Sequence, residues 1–172
     1  MHRDYYSAIE WEKIITFSRT RETPFLIVLL DMIQHKFQQF RTGFPDAKIY
    51  YAVKANPGIE VLALLRDLGS YFDIASIYEL DKVLGLGVSP DHVSFGNTIK
   101  KARHIGEAYD KGVRLFASDC EADIRNLARE APGSRVFFRI LMDAVTSDSD
   151  WPLSRKFGCQ PRMLTDLALL AA

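Results

Sequence analysis

Residues 50–76, YYAVKANPGIEVLALLRDLGSYFDIAS, contain a strand, a helix and a second strand in sequence. Two runs rich in aromatic and β-branched residues, Tyr50–Val53 and Tyr71–Ala75, flank a stretch with apolar residues at helical spacing that ends at Gly69. Runs of this kind are typical of buried strands, and a glycine after the last periodic residue is typical of a helix end. The segment therefore predicts one β-α-β unit with parallel strands, because a crossover helix joins parallel neighbours and a tight hairpin cannot.

The same pattern repeats along the chain. Further apolar runs begin at Val93, Leu115 and Val136, so that five runs start at intervals of 21 or 22 residues. Four helix starts are predicted between them, at Asn56-Pro57, Ser76, Thr98 and Ser118. The uniform period without a G-x-G-x-x-G turn favours a βα barrel over a doubly wound sheet. Because a full barrel has eight strands and typically about 250 residues, the sequence predicts a partial (β/α)8 TIM barrel, truncated after about five barrel strands.

The segments outside the repeat carry weaker patterns. Residues 1–23 are interpreted as a lead-in, and residues 24–172 as the N-terminal part of the barrel domain. Phe25–Leu30 is predicted to form one more strand, followed by a helix that ends at Gly43. The polar stretch Met142–Gln160 is predicted to be a mobile functional loop, since it is long for a compact connection, and a last helix is predicted to start near Pro161.

Composition excludes several classes of protein. The 22 Lys and Arg residues balance the 22 Asp and Glu residues, which argues against a protein that coats nucleic acid. The longest apolar run is too short to span a bilayer, and the first residues lack the pattern of a secretory signal. The sequence predicts a soluble, cytoplasmic protein without membrane or nucleic-acid partners. Its histidines and cysteines show no metal-ligand spacing, so no metal site is expected.

Charged residues stand where the predicted strands end, the edge at which βα barrels carry their chemistry. Lys54 directly follows the first run, and burial there would disfavour its ammonium form and give an amine suited to Schiff-base chemistry. The alternative is a lysine that extends outward to solvent. Asp73 and Arg139 lie inside apolar runs and need partners if buried. They could pair with each other or with Lys54, or form a purely structural ion pair.

Other polar residues near the strand ends are assigned less specific roles. The hydroxyls of Ser76, Thr98 and Ser118 are interpreted as helix caps rather than nucleophiles. The basic cluster at 100–103 could contact phosphate, but a solvated helix face is the preferred interpretation in a chain of zero net charge.

Four motifs of this sequence resemble one known family. They are YAVKAN (51–56), FDIASIYEL (72–80), SFGNTIKK (94–101) and LSRKFG (153–158). From Thr23 onward the chain resembles the N-terminal part of the fold-type III pyridoxal-phosphate decarboxylases, which are built on an alanine-racemase-like barrel. Within that group, the motifs around Asn97 and Lys156 are most similar to those of ornithine and lysine decarboxylases.

The resemblance implies a set of functional residues. Lys54 would be the catalytic lysine that binds pyridoxal 5'-phosphate as a Schiff base, and Asp73 and Arg139 would line the cofactor pocket. Lys156 would reach across the interface of a homodimer in the full-length form, next to a mobile active-site loop. These assignments are carried over from the family motifs.

The resemblance also implies an activity. It is decarboxylation of an amino-acid substrate, ornithine or lysine, to putrescine or cadaverine in polyamine biosynthesis. Because the family's C-terminal barrel strands and β domain are missing here, we expect the 172 residues alone to be inactive or impaired. Two alternatives remain open. One is another activity of the group, diaminopimelate or arginine decarboxylation, and the other is a non-catalytic regulatory or binding homologue.

Overall fold

The computed structural model describes residues 6–141 and 156–172. Two helices, α1 (Ala8–Ser18) and α2 (Leu30–Gly43), precede the first strand. The following elements are β1 (Tyr50–Ala52), α3 (Ile59–Asp67), β2 (Tyr71–Ile74), α4 (Ile77–Gly85), β3 (Val93–Phe95), α5 (Ala102–Asp110), β4 (Leu115–Ser118), α6 (Glu121–Glu130), β5 (Arg135–Phe138) and α7 (Leu164–Ala171). None of the helices in these ranges is long and apolar enough to cross a membrane.

The five strands form one parallel sheet in the order β1-β2-β3-β4-β5. Ala52 is in register with Asp73, and Asp73 with Ser94, so these three positions lie side by side on one face. An order that never reverses, with a helix after every strand, is that of a βα barrel and not of a doubly wound sheet. The predicted partial barrel is therefore confirmed, and β1 and β5 are the two edges of the described sheet.

The two faces of the sheet differ in what they bury. Successive side chains of a strand point to opposite faces, and the outer face carries Phe72, Phe95 and Phe116, each at most 2% exposed. Residues from three helices pack against this face and are fully buried, namely Leu62, Leu80 and Ile105. The core thus lies between the sheet and its helices, and it holds the strands so that the side chains of the other face converge.

Local signals at one helix start and one helix end are confirmed. The Ser76 hydroxyl accepts a hydrogen bond from the backbone N–H of Glu79 at 3.3 Å. The Glu79 carboxylate in turn accepts from the backbone N–H of Ala75 at 2.6 Å, which gives a variant of the predicted capping box. Gly69 follows α3 with φ +81°, the left-handed conformation that favours glycine at a helix end.

The other three predicted helix starts are wrong. Helices α3, α5 and α6 begin further along, after the N-cap residues Gly58, Lys101 and Cys120. Asn56 instead forms a turn, in which its side-chain oxygen accepts from the Gly58 N–H at 3.0 Å. Thr98 and Ser118 are buried at the carboxyl edge of the sheet. In the first two of these units a longer turn separates the strand from its helix, and in the third Ser118 is still the last residue of β4, so that the cap position falls two residues later.

The predicted strand at Phe25–Leu30 is also wrong. Residues 25–29 form no strand in the described part of the chain, and α2 already begins at Leu30. Leu26 is 84% exposed, and the ring of Phe25 packs edge-on against Phe17 at 6.2 Å between centroids. A strand exists only where a neighbouring backbone completes its ladder. The apolar run here has no such neighbour among the described residues.

Most of the predicted loop Met142–Gln160 lies outside the described residues. Its last part is hydrogen-bonded beside β5, where the Cys159 N–H donates to the Arg139 carbonyl at 2.9 Å and the Leu141 N–H donates to the Cys159 carbonyl at 2.8 Å. A 3-10 turn, Pro161–Met163, then leads directly into α7, close to the predicted helix start.

Candidate active site

Alternating side chains of the five strands line a cleft of about 370 Å3 on the inner face of the sheet. The residues that line this inner-face cleft are Tyr50, Ala52, Asp73, Ser94, Gly96, Leu115, Phe137 and Arg139. The fold thus brings together Asp73 and Arg139, which are distant in sequence and were predicted as site residues. Both lie toward the carboxyl ends of their strands, the edge where this fold places chemistry.

Asp73 is a partly buried carboxylate with one strong hydrogen bond. The Ser94 hydroxyl donates to its Oδ1 at 2.6 Å. Burial raises the pKa of Asp73, while the Ser94 hydrogen bond and the charges of Lys54 and Arg139 act in the opposite direction. The ion pairs of the described residues include none of these three charged groups. The direct pairing that the sequence left open therefore does not form.

Arg139 and Asp73 meet the same glycine. Arg139 Nη2 donates to the Gly96 carbonyl at 3.3 Å, and its guanidinium carbon lies 5.1 Å from the centroid of the Phe157 ring. A Cβ on Gly96 would run into the Asp73 carboxylate. Glycine is thus required here because a side chain and a backbone approach closely. Gly96 therefore contacts both charged groups, because its carbonyl accepts from Arg139 and its Cα lies against the Asp73 carboxylate.

Lys54 lies in a 3-10 turn, Val53–Ala55, immediately after β1. Its side chain is exposed, so of the two alternatives that the sequence left open the structure shows the outward-extending lysine. In the described sheet β1 is an edge strand, with β2 as its one neighbouring strand. Lys54 is not among the residues that line the inner-face cleft, but its charge lowers the pKa of Asp73.

Lys156 is exposed and stands at the start of a segment that is held against the sheet. Within that segment the Gly158 N–H donates to Asp119 Oδ2 at 2.9 Å. The structure therefore places Lys156 near the carboxyl edge without bringing it into the inner-face cleft.

Sequence reasoning missed two residues at this edge. Ser94 could have been found from the period, because Ala52, Asp73 and Ser94 are each 21 positions apart and share one face. Lys100 was interpreted as solvated, but its side chain is 0% exposed and paired with Asp123. The weak signal for it was an aspartate next to the apolar residues of α6.

The groups of the cleft suit pyridoxal phosphate chemically. An amine reacts with an aldehyde, a guanidinium and backbone N–H groups suit anionic oxygens, and a carboxylate suits a cationic nitrogen. Arg139 and Asp73 supply a guanidinium and a carboxylate in the cleft, where a Cβ at Gly96 would meet Asp73, and Lys54 supplies an amine in the turn after β1. The residues present thus fit such a ligand.

A larger cavity, of about 550 Å3, lies between α2 and β1. It is lined by apolar side chains such as Phe37, Phe40 and Leu65, with Lys36 as its charged residue. It therefore offers no combination of groups for acid-base or covalent chemistry. In the described ranges no cluster of three or more His, Cys, Asp or Glu side chains could hold a metal ion.

The sequence of this chain is similar to those of known proteins. Residues 30–172 match the family model described as pyridoxal-dependent decarboxylase, pyridoxal binding domain. The lysine/ornithine decarboxylase of Selenomonas ruminantium is 36% identical over 156 residues, which is 91% of this chain and 39% of that protein. Antizyme inhibitor 2 of Xenopus laevis is 33% identical over 144 residues, 84% of this chain and 31% of its own length.

A solved structure supports the same match. A mutant of the Selenomonas ruminantium lysine decarboxylase in complex with PLP superposes with a TM-score of 0.85 at 34% identity. The match covers 96% of this chain and 42% of the other. The chain therefore spans about two fifths of the length of these decarboxylases.

Proposed function

We propose that this chain, which belongs to the pyridoxal-dependent decarboxylases and matches their pyridoxal-binding domain, serves the decarboxylation of ornithine or lysine to a diamine. The cofactor of this domain is pyridoxal phosphate. The observation that carries the proposal is that Asp73 and Arg139 line one cleft on the carboxyl edge of a parallel barrel sheet, and that the charge of Lys54 acts on Asp73. We take residues 24–172 as the unit that forms this cleft and residues 1–23 as its lead-in.

Lys54 would supply the amine that binds the cofactor covalently. It lies two residues beyond Ala52, the cleft-lining β1 residue that is in register with Asp73. Its exposure leaves the amine accessible to a cofactor and to an incoming substrate amine. When bound, the pyridoxal ring takes up the electron pair that remains when the substrate carboxylate leaves as carbon dioxide.

Asp73 and Arg139 would orient the cofactor and balance its charge. Neither is consumed by an ion pair among the described residues, and both face the cleft. Ser94 fixes the Asp73 carboxylate through its 2.6 Å hydrogen bond, and the Gly96 carbonyl fixes the guanidinium of Arg139. Charged groups held in place before a ligand arrives need no reorganisation during the reaction.

Lys156 would contact a second subunit in the full-length form. The segment it begins is anchored to the sheet by Asp119 and by the backbone of Arg139, while its own side chain is exposed. If Lys156 lies in a homodimer interface, Lys156→Glu raises the dimer dissociation constant in analytical ultracentrifugation. The matched change Lys101→Glu, at an exposed position before α5, should leave it unchanged, and equal effects would argue against the interface.

The substrate is the finer part of the proposal. The similarity to the lysine/ornithine decarboxylase of Selenomonas ruminantium supports ornithine or lysine as the substrate. Their decarboxylation would give putrescine or cadaverine, and we propose that the protein acts in the cytoplasm in polyamine biosynthesis. Because the chain is also similar to an antizyme inhibitor, a non-catalytic regulatory or binding homologue is the second candidate function. Because β1 and β5 are open edges in the described sheet, we also propose that the 172 residues alone turn over slowly or not at all.

Carbon dioxide release from carboxyl-labelled amino acids tests this function. The full-length protein, loaded with pyridoxal phosphate, should release label from ornithine or lysine, and Lys54→Ala should not. Release from arginine or diaminopimelate alone would replace the substrate assignment. Cofactor binding without release from any of the four would favour the regulatory homologue, and turnover by residues 1–172 at the full rate would contradict the proposed impairment.

A further inference from the structure

Lys100 is a lysine with a completely buried side chain. It lies in the connection between β3 and α5 and is not among the residues that line the inner-face cleft. Its Nζ donates to Asp123 Oδ2 and to the Ala117 carbonyl, both at 2.7 Å, and to the Asn97 carbonyl at 3.0 Å. An ammonium has three N–H donors. The three short bonds match these donors in number and join β4, α6 and the turn after β3, where the Thr98 carbonyl also lies within 3.5 Å of Nζ.

A buried ion pair is a weak way to gain stability. Burial lowers the pKa of Lys100, and the hydrogen bond that Lys100 donates to Asp123 opposes that effect, so keeping the ammonium charged costs free energy. Apolar residues of similar volume often do as well or better in such a place. Asp123 depends on this one partner, because its Oδ1 has no hydrogen bond within the described residues. The pair is therefore better explained by the geometry it fixes.

What the pair fixes is the turn at residues 96–100. The Gly96 N–H donates to the Ile74 carbonyl at 2.9 Å, and the Gly96 carbonyl accepts from Arg139 at 3.3 Å. The Gly96 Cα lies so close to Asp73 that no Cβ fits between them. The Lys100 Nζ donates a hydrogen bond to the carbonyl of Asn97, the residue that follows Gly96. The same turn thus contacts both charged groups of the cleft at Gly96 and is bound at Asn97 by a buried cation.

We propose that Lys100 is a positioning residue for the inner-face cleft, and that it acts through the Gly96 turn on Asp73 and Arg139. The inference rests on the proposed function, since it gives that cleft its rigidity toward pyridoxal phosphate. Lys100 itself does not line the cleft. The turn transmits its effect through backbone atoms, because the contacts of Lys100 on this turn are carbonyls.

The test separates anchoring from stability with three variants of the full-length protein. Lys100→Met removes the cation and leaves Asp123 buried and unpaired. The double variant Lys100→Met with Asp123→Leu replaces the pair by apolar side chains. Lys101→Met changes the exposed neighbour and is the matched control. The readouts are the thermal midpoint, the dissociation constant of pyridoxal phosphate, and hydrogen exchange of the amides in residues 96–100.

We expect Lys100→Met to lower the midpoint by roughly 10 °C and the double variant to recover most of that loss. Cofactor affinity should stay roughly tenfold weaker in both, and exchange at residues 96–100 correspondingly faster, because neither variant restores the bonds to the Asn97 and Ala117 carbonyls. Lys101→Met should match the wild type in all three. A double variant that regains affinity and slow exchange together with its midpoint would overturn the proposal.

Asp123→Asn provides a second route if the double variant does not fold. It removes the counterion but keeps the carbonyl contacts of Lys100, so we expect a lower midpoint with affinity within about twofold of wild type. A large loss of affinity in this variant would count against anchoring through the turn. If the wild type itself binds no pyridoxal phosphate, the proposed function fails, and the exchange data still decide whether Lys100 holds the turn.

Discussion

The inner-face cleft and the Lys100–Asp123 pair belong to the same series of βα units and treat charge in opposite ways. In the pair the buried cation and carboxylate contact each other at 2.7 Å. Around the cleft the charges of Lys54 and Arg139 act on Asp73, but the three groups form no ion pair in the described ranges. Charges paired in the interior fix a geometry, while charges kept apart in a cleft remain available to a ligand.

The absence of ion pairs among these three groups also lowers the stability of the fold at the cleft. Asp73 lies in surroundings that raise its pKa, with a serine hydroxyl as its hydrogen-bond donor. A natural protein tolerates such a group where function requires it. Variants of the inner-face cleft and of the Lys100–Asp123 pair should therefore differ in their effects on stability and on cofactor binding.

The largest effect is expected from a comparison of two lysines. Lys100→Met should lower the free energy of unfolding by about 3–5 kcal/mol, because it leaves a buried carboxylate without its partner. Lys54→Met should change it by less than about 0.5 kcal/mol, because that side chain is exposed. Denaturant unfolding of both variants measures the difference. Equal losses would remove the distinction between the paired and the unpaired region.

Gly96→Ala should have the next largest effect. The new methyl group would meet the Asp73 carboxylate, so we expect a loss of about 1–3 kcal/mol together with weaker cofactor binding. The control is Gly85→Ala at the end of α4, where a Cβ meets nothing within 4 Å. That change should be neutral or stabilise by up to about 1 kcal/mol. Similar losses at both sites would show that the close approach at Gly96 is unimportant.

Asp73→Asn should stabilise the protein at neutral pH by about 0.5–2 kcal/mol while it impairs function. Asn keeps an oxygen that accepts from Ser94 but carries no charge. A raised pKa in the folded state contributes stability that is complete below the unfolded value near 3.8 and is lost as the pH rises through the folded value. The advantage of the variant should therefore grow as the pH rises from about 4 and then level off. Urea unfolding at several pH values measures this, and a constant difference would contradict the burial of Asp73.

Part of the fold and of the cleft can be predicted from the sequence alone. The 21- or 22-residue period predicted the parallel order of all five strands, since each run needs a crossover helix to reach the next. The same period predicted that Asp73 and Arg139 lie at the same edge of the sheet. The strand ends are specified by local patterns of apolar residues, which a single sequence displays directly.

What the sequence did not predict depends on contacts between distant residues. Lys100 looks like its exposed neighbour Lys101, and its burial follows only from the position of Asp123 on the next helix. The run at 25–30 has the composition of a strand but no backbone beside it. The exposure of Lys54 likewise reflects its place at the edge of the sheet, which the residues around it do not encode.

Trapping of the bound cofactor by borohydride, followed by peptide mass spectrometry, tests the central claim most directly. The full-length protein is incubated with less than one equivalent of pyridoxal phosphate, reduced and digested. We predict that the phosphopyridoxyl group is found on Lys54, with far less on exposed lysines such as Lys48 and Lys101, and that Lys54→Ala abolishes this dominant adduct. A label on another lysine, or spread evenly over the exposed ones, would contradict the assignment of this cleft as the cofactor site.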